Sequence, residues 1–197
     1  GCGIRIGDYV TGENWIYNNI LLNAGLGPNP TGDEAMHVPV LIHAGWDDTT
    51  TTIHFYNNTI YGGGFTGGAA WASSMVGFSN SHPYTLDFRN NIIVSTVPGI
   101  TYLNAALWQP TGAQRNLWYG AGTAPLWDNN SINADPLFAN NQSQDFHLLN
   151  NSPAKDAALP TTPTAALPLP TLDFDAQARP QNGITDLGAF EFSPQVV

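Results

Sequence analysis

Three segments of the chain set side chains capable of chemistry at matching places. Residues 14–22 read N-W-I-Y-N-N-I-L-L, residues 53–61 read I-H-F-Y-N-N-T-I-Y, and residues 86–94 read L-D-F-R-N-N-I-I-V. The Asn pairs Asn18-Asn19, Asn57-Asn58 and Asn90-Asn91 align them. Trp15, His54 and Asp87 then share one position, and Tyr17, Tyr56 and Arg89 share another. Strand alternation sends both positions to the face opposite Ile16, Phe55 and Phe88. Aromatic rings, an Asp and an Arg are therefore expected to point outward in rungs about 5 Å apart. Trp118 is expected to extend the set. Flat rings suit the faces of sugars, and charges suit hydroxyls or carboxylates. The candidate binding residues are Trp15, Tyr17, His54, Tyr56, Asp87, Arg89 and Trp118. The alternative is that a projecting loop or another subunit covers these rings.

A second set falls on a different strand: Arg5, Asp8, His43, Asp47 and Asp48. Calcium needs several clustered oxygen ligands. Asp47 and Asp48, followed by four Thr, are the weak candidates for it; otherwise they form a solvated corner. No metal is otherwise expected, because the five His show no spacing such as H-x-x-x-H and Cys2 is the one cysteine. No serine elbow or phosphate loop is present. If the chain is an enzyme, Arg5, His43, Asp87 and Arg89 are the residues left to carry catalysis. Lys155 and Arg179 are expected to pair with Asp156, Asp173 or Asp175 instead.

The elements that must hold these residues are strands. The chain has 197 residues, with 15 acidic and 5 basic side chains and a net charge of −10. Five basic residues cannot neutralise many phosphates, so nucleic acid is excluded as a partner. No run of 18 apolar residues exists to span a membrane as a helix. Asn, Thr, Gly and Pro stand where helix surfaces carry Lys, Glu and Ala. Such a surface is common in secreted bacterial proteins, so an extracellular or cell-surface location is expected.

The Asn pairs recur at spacings of 39 and 33 residues, and 116–120, N-L-W-Y-G, forms a weaker fourth copy that has lost the pair. Each copy is a strand, an Asn corner and a second strand. Asn tolerates the left-handed backbone angles a corner needs. A third strand-like piece lies between copies, at 3–7, 40–44, 75–79 and 100–104. Corners at equal places in stacked coils would join the six Asn side chains into a hydrogen-bonded ladder. A β-sandwich or barrel is the competing fold, but no Asn-Gly or Asp-Gly hairpin loop supports it.

This pattern resembles the right-handed parallel β-helix superfamily, the architecture of pectate lyases and many bacterial surface proteins. The C-terminal pieces D-P-L-F (135–138), D-F-H-L-L-N-N-S-P-A-K-D-A-A (145–158), R-P (179–180) and D-L-G-A-F-E-F (186–192) resemble the ending of one bacterial group of such proteins. The resemblance implies an all-β solenoid of three to four coils. Residues 1–122 would form the coils. Residues 123–197 would supply the last coil, a Pro-rich surface loop at 159–170 and a cap. The first coil begins without a cap, so upstream chain or another subunit is expected to cover it.

The functional expectation is a secreted or surface β-helix module with a structural or adhesive role. It would self-associate, end to end or laterally into filaments, or contact glycans, without bond chemistry or a cofactor. The alternative is a polysaccharide lyase or glycosidase acting on an acidic polysaccharide.

Overall fold

The computed structural model describes residues 2–8, 10–26, 37–44, 51–64, 73–78, 84–103, 110, 114–159, 170–181 and 183–194. The fold is all-β. Three strands form the first triplet: β1 (Ile4–Asp8), β2 (Glu13–Tyr17) and β3 (Ile20–Ala24). The next triplet is β4 (Val40–Ala44), β5 (Thr52–Tyr56) and β6 (Thr59–Gly63). A third is β7 (Ser74–Phe78), β8 (Thr85–Arg89) and β9 (Ile92–Val94). The series ends with β10 (Thr101–Leu103), β11 (Leu117–Tyr119) and β12 (Ile132–Asn133). A short antiparallel pair, β13 (Phe138–Asn140) and β14 (Asp145–Leu148), belongs to the C-terminal region.

Through the first three triplets each strand pairs in parallel with its counterpart in the next; β10 continues the first sheet, and β11 and β12 both extend the third. The three resulting sheets run β1-β4-β7-β10, β2-β5-β8 and β3-β6-β9-β11-β12. These stacked parallel sheets are compatible with the expected β-helix. Among the described residues no helix is long and apolar enough to cross a membrane.

The register stacks like on like. Ile16, Phe55 and Phe88 occupy successive rungs. The Phe55 and Phe88 rings stack with centroids 5.0 Å apart. Val40 and Val76 face inward from the first sheet, and Leu21, Ile60, Ile93 and Trp118 from the third. One continuous apolar core therefore fills the space between the sheets.

The Asn corners do two different jobs, where the sequence suggested one. The second Asn of each pair forms the ladder. Asn19 donates its backbone N–H and Nδ2 to Asn58 Oδ1 at 3.0 and 2.9 Å. Asn58 donates likewise to Asn91 Oδ1 at 3.0 and 3.1 Å, and Asn91 to Asn116 Oδ1 at 3.0 and 2.9 Å. Asn116 ends the series on Asp128 Oδ2 at 3.0 and 2.9 Å. The fourth repeat has therefore kept its ladder residue.

The first Asn of each pair, Asn18, Asn57 and Asn90, takes the left-handed turn, at φ 54°, 52° and 57°. These three are not ladder members; their side chains reach the C-terminal segment instead. Asn18 Nδ2 donates to Leu172 O, Asn57 Nδ2 to Asp186 O, and Asn90 Nδ2 to Leu159 O. That segment also covers the outer face of the third sheet, where Leu148, Ala154, Ala158 and Leu187 pack on Ile92, Val94 and Leu117.

Arg179 locks this strap. It is tied to Glu191 rather than to an Asp, with Nη1 to Oε1 at 2.8 Å and both side chains 1% exposed. Its Nη2 donates to Gly188 O and to Asn18 Oδ1. Lys155 instead reaches Asn150 Oδ1 and lies over the Phe192 ring.

Three substitutions test these supports. Asn91→Leu leaves the backbone N–H of Asn58 without its acceptor, removes one of the bonds of Asn58 Nδ2, and takes one donor each from Phe55 O and Asn116 Oδ1. It is expected to cost about 3 kcal/mol in urea unfolding, since a buried unsatisfied polar group costs roughly 1–3 kcal/mol. Asn19→Ala, at the half-buried end, should cost about 1 kcal/mol. Equal losses would contradict a ladder that gains strength inward. Separately, Glu191→Gln leaves the Arg179 guanidinium buried without its counter-charge. A loss of about 3–5 kcal/mol is expected by the same method, and an unchanged midpoint would show that the pair does not hold the strap.

Candidate functional site

The outward face of the second sheet gathers the repeat's polar and aromatic side chains. Register places Trp15, His54 and Asp87 in one row and Tyr17, Tyr56 and Arg89 in the next. Glu13 shares their phase on β2, opposite Thr52. The sequence reading missed Glu13, although counting back two residues from Trp15 reaches it.

Only part of this column is exposed. Trp15 and Tyr17 keep 37% and 44% of their surface, whereas His54, Tyr56 and Arg89 are buried. The expectation of a fully outward row is thus corrected. Trp15 stacks on His54 at 4.5 Å between centroids, and Tyr17 lies parallel to Tyr56 at 5.5 Å. Each exposed ring rests on a buried one, which fixes its orientation.

Trp118 does not belong to this face. It is fully buried in the core, close to parallel with Phe88, and donates its indole N–H to Asp128 Oδ2 at 2.8 Å. The reason is its place relative to the corner. Trp118 follows Asn116 and so lies on the third sheet beside Ile93. Trp15, His54 and Asp87 precede the Asn pair and lie on the second.

Beneath the rings runs a charge network. His54 Nε2 meets Glu13 Oε2 at 2.5 Å, and His54 Nδ1 meets Asp87 Oδ2 at 3.4 Å. Arg89 Nη2 closes on the same Asp87 oxygen at 3.1 Å. Burial alone disfavours the His54 imidazolium, but hydrogen bonds and charge from Asp87 and Glu13 outweigh it and raise its pKa above the usual 6.5. Burial pushes the Tyr56 hydroxyl up to about 12, so it stays protonated across the physiological range.

Both nitrogens of His54 are occupied, so the ring serves as a bridge between two carboxylates rather than as a free base. It also fills the space between the two carboxylates, where a glycosidic bond would have to lie.

The other candidates disperse. Arg5 and His43 lie on the first sheet, in rows paired with Leu41 and Gly7. Asp87 and Arg89 lie on the second. The four residues named for catalysis therefore divide between two sheets. Asp47 and Asp48 lie outside the described residues. Among the described residues no group of three His, Cys, Asp or Glu is arranged to hold a metal ion.

A second histidine repeats the bridged arrangement in the C-terminal region. His147 Nδ1 meets Asp145 at 2.6 Å, and its Nε2 meets Asp175 at 2.8 Å. Its ring lies 4.1 Å from that of Phe190. The cluster borders a cleft of about 620 Å³. Burial disfavours its imidazolium too, and again the two carboxylates more than compensate and raise its pKa. Sequence spacing gave no sign of this triad, because Asp175 comes from a distant turn.

No protein-family model, curated protein or solved structure matches this chain.

Both bridged histidines carry the same pH signature. Their folded pKa values are raised, so the stability they contribute is fully present below the unfolded value of about 6.5 and is lost as pH rises through the folded value. His54→Gln is expected to flatten the decline in urea stability as pH rises above about 6.5, leaving the share due to His147. Imidazole NMR titration of the native chain should show His54 titrating above 6.5. A value at or below 6.5 would remove the bridge from the account.

Proposed function

We propose that the chain is a right-handed parallel β-helix module of a secreted or cell-surface bacterial protein, which contacts glycans through the outward face of its second sheet and performs no bond chemistry. The observation that carries this reading is the pair of exposed rings, Trp15 and Tyr17, each stacked on a buried ring beneath it. Two flat rings held in place beside charged groups offer a sugar both an apolar face and hydrogen-bonding partners. Because the rings are already oriented, little side-chain entropy is lost on binding.

The electrostatics favour neutral sugars over uronates. Glu13 stands exposed beside Trp15, and the guanidinium of Arg89 is buried against Asp87. An anionic polymer would meet negative charge, with no exposed cation on this face among the described residues; Arg5 lies on the first sheet. Elsewhere, Arg115 donates to Ala157 O, Arg179 to Glu191 and Lys155 to Asn150. Lyase action on an acidic polysaccharide needs a cation to quench the uronate, and these are engaged within the fold. No cofactor is required by this reading.

The second reading is a glycosidase, favoured by the two carboxylates Glu13 and Asp87 on one face. It would require His54 to move out from between them.

The test is a panel of neutral and uronate oligosaccharides, measured by calorimetry and product analysis. Neutral glucan or mannan fragments are expected to bind, with Trp15→Ala weakening binding roughly tenfold, and no reducing ends or unsaturated sugars should appear. Tighter binding of uronates, or an affinity indifferent to Trp15, would sink the proposal. Sugar release that disappears in Glu13→Gln would instead establish the glycosidase.

A further inference from the structure

The two exposed rings of the second sheet rest on unlike supports. Tyr17 lies parallel to Tyr56, whose hydroxyl stays protonated because burial pushes its pKa up to about 12. Trp15 lies on His54, with 4.5 Å between centroids and 30° between planes, and meets the Tyr56 ring edge-on at 6.3 Å. One exposed ring therefore sits on a group with a single state across the physiological range. The other sits on a group that titrates.

His54 is held by groups that only accept. Glu13 Oε2 faces its Nε2 from β2, and Asp87 Oδ2 faces its Nδ1 from β8. A carboxylate offers no proton, so only the doubly protonated ring donates to both. Among the described residues the other ionisable groups on this face are Arg89, which meets Asp87 Oδ2 at 3.1 Å, and the hydroxyls of Tyr17 and Tyr56. With His54 protonated, two carboxylates face two cations and the local charge sums to zero. The imidazolium also lies under the electron-rich face of Trp15, an attraction that the neutral ring lacks.

Loss of that proton turns a lone pair toward one carboxylate and leaves excess negative charge beneath the indole. The two carboxylates are not equally fixed. Asp87 is also tied to Arg89 and its side chain is 19% exposed, whereas the Glu13 side chain is 56% exposed and can exchange its bond for water. The Glu13 side of the bridge is thus the one that opens, two residues from Trp15 on the same face of β2.

We propose that protonation of His54 controls glycan contact at Trp15. The protonated ring holds the indole in place for a sugar and the neutral ring releases it, while Tyr17 keeps its contact in both states. This regulation rests on the glycan reading above. A neutral sugar has no titrating group of its own, so dependence on pH belongs to the protein. Glu13 and Asp87 hold the His54 pKa above the usual 6.5. The tight state is therefore fully present below about pH 6.5 and is lost as pH rises through the folded value.

The test uses the full chain with a neutral glucan and a neutral mannan oligosaccharide as probes. Calorimetry runs from about pH 6 upward through the His54 midpoint, which imidazole NMR fixes. Affinity is expected to fall about fivefold across that midpoint. Saturating sugar should raise the midpoint by about 0.7 pH units, because coupling between two binding events is reciprocal. Without sugar, the indole N–H signal of Trp15, identified by its loss in Trp15→Ala, should move with the same midpoint. Trp15→Ala should keep weak binding through Tyr17 that no longer depends on pH, and His147→Gln should keep the full dependence. Equal affinity on both sides of the midpoint, an indole signal that ignores it, or a dependence that survives Trp15→Ala overturns the regulation and leaves the glycan reading standing. Absence of sugar binding at every pH overturns both. His54 is never substituted, so no outcome can be a collapse of the network around it.

Discussion

Everything in this fold depends on a single row of hydrogen bonds. Asn19, Asn58, Asn91 and Asn116 lie at equivalent corners, the first three each giving two N–H groups to the next amide oxygen and Asn116 giving its two to the Asp128 carboxylate. Buried polar groups are tolerated only when satisfied, and here an identical residue one rung away satisfies each. The row fixes the rung spacing and the register of the sheets on either side of it. Once register is fixed, Phe55 lies over Phe88, and Leu21, Ile60, Ile93 and Trp118 form a column. A slip by one residue would turn every core side chain outward.

The ladder has a direction, and its far end requires a group that only accepts. Asp128 supplies it. One oxygen takes both donors of Asn116 and the indole N–H of Trp118. Burial raises the pKa of this carboxyl, and the donors act against that rise. The terminus thus ties the last Asn to the aromatic core in one contact.

The acidic excess of the chain is explained largely by such local duties. Asp173 accepts from the backbone of Asp175, Gln177 and Glu191, and Asp186 from that of Asp156 and Phe192. Asp135 caps Leu137. These carboxylates hold turns of the C-terminal strap, which in turn grips the first Asn of each corner. Glu13 and Asp87 are bridged by His54, and Asp145 and Asp175 by His147. Most of the negative charge is therefore bound up in shaping the molecule, and the platform under Trp15 and Tyr17 is a preorganised network rather than a set of loose groups.

The sequence by itself determined the strands, their repeat and the inward phase of Ile16, Phe55 and Phe88. These follow from short-range rules, alternation within a strand and Asn at a corner, that act over a few residues. It also named Trp15, His54 and Asp87 as neighbours, because equal offsets from a corner become equal positions in a stack. Tertiary structure decided what lies under what. Local pattern assigned all six Asn to one ladder, but the backbone turns at the first of each pair, so only the second faces its own kind. Trp118 follows its corner residue Asn116, whereas Trp15, His54 and Asp87 precede theirs, so a like distance from the corner does not put it on their sheet. The buried state of His54, Tyr56 and Arg89, the pairing of Arg179 with Glu191 and the meeting of His147 with Asp175 join residues that sequence spacing does not relate. Contacts of that kind depend on how separate segments pack, and no periodicity in the chain encodes them.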